Sequence, residues 1–161
     1  MDVTVSAADV AEWRAVREVR LRALAADPGA FGSTLARELA FDDGVWRERV
    51  AAGRTFLARR DGVVVGIASF YAEPGRQDER ELVGMWVTPE ARRTGVAPAL
   101  VEAVRRAAAA EGAARLTLFI AEGNEPARRL YERLGFRSTG EVQELQSDPC
   151  RGQERYALAL S

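Results

Sequence analysis

Glu81-Leu-Val-Gly-Met-Trp-Val87-Thr-Pro-Glu-Ala-Arg92-Arg93-Thr94-Gly95-Val96-Ala97 reads as a strand, a basic loop and a helix start, joined without a break. The branched and aromatic residues up to Val87 suit a strand, and Gly84 inside it suits a bulge. From Val96 to Glu111 the apolar residues Val96, Leu100, Val104 and Ala108 fall on one helical stripe, and Gly112 stops it. A joint of this kind is an anion cradle. The N–H groups at a helix start have no partner, the helix dipole adds partial positive charge, and Gly95 lets an anion approach the main chain. Arg92 and Arg93 add charge and forked donors. Pro98 has no N–H to offer, although the first turn of a helix tolerates it. The stretch is neither a Gly-x-Gly-x-x-Gly dinucleotide fingerprint nor a Gly-Lys-Ser phosphate loop.

On either side of this joint the period of the sequence changes. Upstream, Thr55–Arg59 and Val63–Tyr71 flank Asp61-Gly62, a hairpin signature. Before them lie a short strand, Val3–Val5, and a helix starting near Ala7 with Ser6 as its cap. Val10, Trp13, Val16, Arg20, Leu21 and Leu24 recur along that helix, and Pro28-Gly29 ends it. A looser segment with Phe31 and Leu35 precedes a short helix, Asp42–Ala51. Downstream, Arg115–Ile120 is a strand, Pro126–Leu134 a helix with Glu125 at its cap, and Phe136–Glu141 and Tyr156–Leu160 are closing strands. A polar loop, Gln143–Gly152, separates the last two. Hairpins combined with a crossover helix imply an α/β chain with a mixed sheet and helices on its faces.

The composition narrows the chemistry. The chain has 161 residues, 47% apolar and 29% charged, with a net charge of −1, which suits one globular domain over residues 1–161. All 23 basic residues are arginine, so the chain has neither lysine nor histidine. That excludes Ser-His-Asp and Cys-His nucleophiles, histidine zinc motifs and Schiff-base lysines. The single Cys150 can form neither an internal disulfide nor a cysteine zinc site, and no metal site is expected. The near balance of charge argues against nucleic acid as the main partner. An N-terminus with Asp2, Asp9 and Glu12, and no apolar run approaching a membrane span, point to a cytoplasmic protein without a membrane partner. The alanine and arginine bias suggests bacterial, GC-rich coding.

A second segment decides between the remaining readings: Asn124-Glu-Pro-Ala-Arg-Arg-Leu-Tyr131-Glu-Arg-Leu134-Gly135-Phe136. Ala127, Leu130, Tyr131 and Leu134 share one helical face. With Arg92-x-x-Gly95-x-Ala97 before it, the chain resembles the GNAT superfamily of acetyl-CoA-dependent N-acetyltransferases. The first motif matches that family's pyrophosphate signature. Asn124, Leu130-Tyr131 and Leu134-Gly135-Phe136 match its second. The order of elements from Val3 to Leu160 also follows that fold. The resemblance implies a mostly antiparallel sheet of six to seven strands, splayed between its central strands and flanked by about four helices.

It also implies roles. Backbone amides of Arg93, Thr94, Gly95, Val96 and Ala97, with Arg92 nearby, would hold the diphosphate of acetyl-CoA. Met85, Trp86 and Val87 would pair with the pantetheine arm, the Val87 amide facing the thioester oxygen. Asn124 would contact the arm's amides, and Tyr131 would protonate the departing thiolate. An alkyl amine is neutral in only about one molecule in 2,500 at pH 7, so a base is useful. Glu81 stands where some family members carry one. Strand alternation would put Glu81, Val83, Met85 and Val87 on one face. Phe31 and Trp46 would wall the acceptor pocket beside Glu81, with Glu38, Asp42 and Asp43 drawing a cation.

The expected reaction is transfer of acetyl from acetyl-CoA to a primary amine of a small molecule by direct attack, because no nucleophile for a covalent intermediate is evident. A protein or peptide amine acetyltransferase and a non-catalytic acyl-CoA sensor remain as alternatives. Homodimers are common in the family, so the resemblance also implies a homodimer and a small-molecule amine as partners.

Overall fold

A computed structural model describes residues 2–160. Seven strands form one sheet in the order β1-β2-β3-β4-β5-β7-β6. They are β1 (Val3–Ala7), β2 (Thr55–Arg60), β3 (Val63–Tyr71), β4 (Glu79–Val87), β5 (Arg115–Ala121), β6 (Arg137–Leu145) and β7 (Asp148–Ala159). Every neighbouring pair is antiparallel except β4 with β5. Five α-helices cover the faces: α1 (Trp13–Ala26), α2 (Leu35–Leu39), α3 (Asp43–Ala51), α4 (Val96–Ala110) and α5 (Glu125–Arg133).

The sheet separates two cores. On one side α4 buries Val96, Leu100, Val104 and Ala108 against Phe56, Val65, Phe70 and Leu116, and α5 adds Tyr131 beside Phe136. Gly66 allows α4 its close approach, because a Cβ there would stand 3.0 Å from the Leu100 side chain. On the other side α1 and α3 pack Trp13, Val16, Leu24 and Trp46 on Leu57, Ile67 and Trp86.

Several sequence expectations shift. Ser6 lies within β1, and the chain turns at Asp9, whose side chain accepts from the Ala11 N–H at 3.0 Å while Glu12 accepts from the Asp9 N–H. That reciprocal box opens a 3-10 turn at Val10–Glu12, so α1 starts only at Trp13. The segment expected to be loose forms α2, whose Thr34 cap accepts from the Arg37 N–H. Most of the polar stretch expected as a loop, 143–152, instead belongs to the β6–β7 hairpin, with Gln143 opposite Gln153. Its strands are largely solvated, so no alternation of apolar residues marks them. In α5 the cap is Asn124 rather than Glu125, and it accepts from the Ala127 N–H at 3.3 Å.

Glu38 of α2 is fully buried and fixed by arginines from two other helices. Arg20 grips it with both Nε (3.1 Å) and Nη2 (3.0 Å), and Arg49 adds Nη1 at 3.1 Å. Burial alone would push this carboxyl up, but hydrogen bonds from Arg20 and Ser33 and the two guanidinium charges hold it down to about 2. Its folded-state value is thus depressed below the 4.5 of an unfolded glutamate, so its contribution to stability is complete above that pH and lost as pH falls toward 2. Urea unfolding followed from pH 7 down to pH 3 is expected to show a steeper acid loss in the native chain than in R20Q/E38Q. Equal slopes would refute the assignment.

Candidate active site

Strands β4 and β5 part company after three residues. Glu79, Arg80 and Glu81 pair with Arg115, Leu116 and Thr117; beyond that point β5 continues with β7 alone. Glu79 pins the closed end of this fork, bonded to Arg155 of β7, to Arg76 at 3.3 Å and to Arg115 of β5 at 3.2 Å. The opening is produced by β4. Between Ile67–Trp86 and Ser69–Val83 one residue of β3 faces two of β4, and Gly84 takes φ +65°, a left-handed conformation suited to glycine.

That bulge also reverses the faces of the strand. Before it, Leu82 lies in the α4 core; after it, Met85 and Val87 do, while Trp86 packs under α1. Glu81 and Val83 therefore lie on the α1 face, opposite Met85 and Val87, which corrects the expectation that all four share one face. The extra residue shifts the period-two alternation by one. Backbone directions follow from the Thr88 N–H donating to Val65 C=O at 2.9 Å. By alternation the Trp86 amide turns to β3, and those of Met85 and Val87 turn to the open side of the fork. There the Val87 C=O accepts from Arg92 Nε at 3.0 Å, which leaves its N–H facing the gap.

At the mouth on the α4 side lies the cradle. Arg93 at φ +64° and Gly95 at φ +89° are both left-handed, and this curls the loop ahead of α4. No acceptor among the described residues takes the N–H groups of 93–97, and a Cβ on Gly95 would meet nothing within 4 Å. Thr94 uses its hydroxyl locally, donating to Ala91 C=O and accepting from Arg60. Arg92 is committed elsewhere than its motif suggests. Its Nη2 meets Asp27 at 2.9 Å, and the same carboxylate oxygen accepts from Trp86 Nε1 at 2.8 Å. These bonds hold Asp27 below the usual carboxylate range. Trp86, with its indole in the α1 core and its main chain on β3, leaves the cofactor-facing set.

Within the fork a cavity of about 480 Å³ is lined by Val83–Met85, Leu118–Ala121, Asn124 and Tyr131, and by Phe31, Tyr71 and Glu81 toward the α1 side. Tyr131 is buried, edge-on to Phe136, and its hydroxyl has no hydrogen-bond partner among the described residues. Burial pushes that hydroxyl well above its ordinary value. Asn124 uses its Oδ1 on the α5 cap, so its amide group remains to donate. Glu81 accepts from the Tyr71 hydroxyl at 3.3 Å. Burial raises the Glu81 carboxyl, with the Tyr71 hydrogen bond pulling the other way; Tyr71 itself is pushed up to about 12 by burial and by the charges of Glu81 and Glu73.

Trp46 does not line this cavity, which corrects its expected place in the acceptor wall beside Glu81; its side chain is fully buried in the α1 core and borders instead the neighbouring cavity under α1 and α3. An aromatic at helical spacing is equally a core residue, and here the core takes it. Glu38 and Asp42 are likewise occupied, one by arginines and the other by the α3 cap. The sequence reading missed Tyr71, legible only from the hairpin register that sets it opposite Glu81, and Arg20, whose signal was a charged residue on an apolar stripe.

A family model described as "Acetyltransferase (GNAT) family" matches residues 13–136. The chain belongs to the GNAT acetyltransferase family. An "uncharacterized N-acetyltransferase" of Mycobacterium tuberculosis (strain ATCC 25618 / H37Rv) is 39% identical over 85 residues, 52% of this chain and 52% of that protein. The match thus spans about half the length of the curated relatives. Among solved structures, YncA of Salmonella typhimurium, determined with its cofactor acetyl-CoA, superposes with TM-score 0.79 at 21% identity over 100% of this chain and 95% of that one. The ribosomal-protein-S18-alanine N-acetyltransferase of Escherichia coli gives 0.71 at 19% identity over 99% and 95%. These similarities show the GNAT fold, with its seven-stranded mixed sheet forked at β4 and β5. Among the described residues no helix is long and apolar enough to cross a membrane, and no group of His, Cys, Asp and Glu could hold a metal.

Proposed function

We propose that this chain is a cytoplasmic acetyl-CoA-dependent N-acetyltransferase that acetylates a primary amine of a small molecule by direct attack within a ternary complex. The fork carries this reading: unpaired amides at one mouth, a free strand edge along the gap, and a buried tyrosine and a raised glutamate lining it. The donor fits these residues. Amides 93–97 match a diphosphate, and the edges of Met85 and Val87 match the amides of an extended arm. The bound donor supplies an activated thioester. The Val87 N–H is oriented to stabilise negative charge developing on the carbonyl oxygen. Glu81, poorly solvated and held by the Tyr71 hydroxyl, takes the proton of the acceptor ammonium in its carboxylate form, directly or through water. The neutral amine would form its bond to the thioester carbon as the carbon–sulfur bond breaks. Tyr131 keeps its proton at neutral pH and would give it to the departing sulfur, and the second proton of the amine would return through water to the tyrosinate.

Direct attack is supported because Cys150, the chain's single thiol, is exposed on β7 and lines no part of the fork. A small acceptor is supported by the size of the cavity, which also has to take the end of the donor arm. A neighbour that acetylates a ribosomal protein shows that the fold by itself does not choose the acceptor.

Calorimetric titration with acetyl-CoA and CoA, followed by a thiol-release screen over diverse amines, tests the proposal. Binding with turnover on small amines is expected, and folded protein that binds neither would overturn it. G95V is expected to weaken acetyl-CoA binding by roughly tenfold or more. A left-handed valine is strained by about 1–2 kcal/mol, and its methyls cover the anion's approach. Unchanged affinity would move the diphosphate elsewhere.

A further inference from the structure

Arg20 projects from α1 into the heart of the fork, and its guanidinium is only partly used. Nε and Nη2 form a two-pronged pair with the buried Glu38. The third nitrogen, Nη1, has no acceptor among the described residues, and it stands 3.4 Å from where a Cβ on Gly84 would be. It therefore lies over the bulge, between Val83 and Met85, at the point where the strand opens. The ring of Phe31 lies 5.0 Å from the guanidinium carbon. Arg20 lines both the fork cavity and a second one of about 440 Å³ under α1 and α3, with Val83, Gly84 and Tyr71 shared between them.

The other cations lining the fork are each paired with two or more carboxylates. Arg76 faces Glu73, Glu79 and Glu141 with its three nitrogens, and Arg155 faces Glu79 and Glu141. Glu81 has the opposite character: it is a carboxylate with a tyrosine hydroxyl but no arginine bonded to it. The α1 side of the fork thus offers one free cationic donor and one carboxylate without a cationic partner. The two-pronged Arg20–Glu38 pair fixes the direction of the free nitrogen.

We propose that Arg20 Nη1 docks a carboxylate of the acceptor, so that the amine acetylated here is that of a free amino acid or a similar small amino carboxylate. This deepens the N-acetyltransferase reading and rests on it. A carboxylate gains more from a charged donor in a dry cleft than a neutral carbonyl does, and it sets the neighbouring ammonium toward Glu81. Groups of opposite charge at the two ends select a dipolar molecule over a plain amine, a polyamine or a peptide amine.

The test is thiol release with the common L-amino acids, their carboxamides and their decarboxylated amines, using the native chain, R20K and R20Q/E38Q. R20Q/E38Q removes both charges together, so Glu38 is not left unpaired, and the carboxamide oxygen it places at 38 can still accept from Arg49. R20K keeps the ion pair but not the free nitrogen. The native chain is expected to favour free acids by about tenfold or more in kcat/KM. Both variants should raise KM for the acid and bring the ratio of acid to amide near one, with KM for acetyl-CoA unmoved. Amides, plain amines or short peptides used as well as free acids, or a preference that survives in the variants, would overturn the proposal and leave the N-acetyltransferase reading standing. If no amine releases thiol, calorimetry of the CoA-saturated protein with the same free acids decides: binding lost in R20Q/E38Q supports the docking site, and no carboxylate-dependent binding overturns it.

Discussion

Tyr131→Phe is expected to lower kcat by about 10²- to 10³-fold, the usual contribution of a positioned general acid, while acetyl-CoA affinity stays within about threefold. The substitution removes one oxygen and leaves the ring on Phe136, so the core of α5 keeps its packing. That hydroxyl bonds to no other group among the described residues, and its loss orphans none of them. Stability should therefore be unchanged or slightly higher, and a thermal melt alongside the kinetics separates a chemical defect from a structural one. Because burial raises the hydroxyl above its ordinary value, native activity should persist to higher pH than a solvated tyrosine acid would allow. A Y131F protein with native kcat would remove the residue from the chemistry.

Glu81→Gln is expected to cost about 10²-fold in kcat/KM at pH 7, with a deficit that shrinks as pH rises. The native rate should fall on the acid side as Glu81 takes a proton, above the 4.5 of a solvated glutamate because burial raises it. Without the carboxylate, the remaining route to a nucleophile is spontaneous loss of the amine's own proton, and that fraction grows about tenfold per pH unit below roughly pH 10. Profiles of kcat/KM against pH for the two proteins should therefore converge in the alkaline range. Parallel profiles would mean that Glu81 binds the acceptor without accepting its proton. The carboxamide oxygen introduced by E81Q can still accept from the Tyr71 hydroxyl, so β3 and β4 stay paired.

The two sides of the fork are mechanically joined. Asp27, at the end of α1 where the chain turns toward Phe31, holds Trp86 of β4 and Arg92 of the cradle loop with one oxygen. Arg92 in turn fixes the Val87 carbonyl. The orientation of the Val87 N–H therefore depends on a residue from the acceptor side. The signature arginine is thus bonded to the strand and to the end of α1.

The local motifs were legible because they depend on neighbours in the chain. A helix start behind Gly95 has unpaired amides wherever it occurs, and the α4 stripe at Val96, Leu100, Val104 and Ala108 is buried as its period requires. Gly84 read correctly as a bulge, yet its effect on register did not follow: whether the extra residue moves Glu81 to the α1 face depends on the pairing of β3 with β4. Phe136–Glu141 and Tyr156–Leu160 were legible as strands, but the polar tip that joins them into the β6–β7 hairpin was not, because it is held by pairing rather than by an apolar pattern. Helix α2 is too short to show a helical period and is held by the buried Glu38.

By itself the sequence determined the family and the exclusion of histidine and lysine chemistry, and it singled out the loop before Gly95 and Tyr131 as candidates, since each rests on residue identity at fixed short spacing. The tertiary structure alone decided which groups meet across long separations. It took Trp46 into the core, set Tyr71 against Glu81, and turned the unused nitrogen of Arg20 toward Gly84. Such contacts join residues up to dozens of positions apart, and only packing and register, which local spacing does not encode, bring them together.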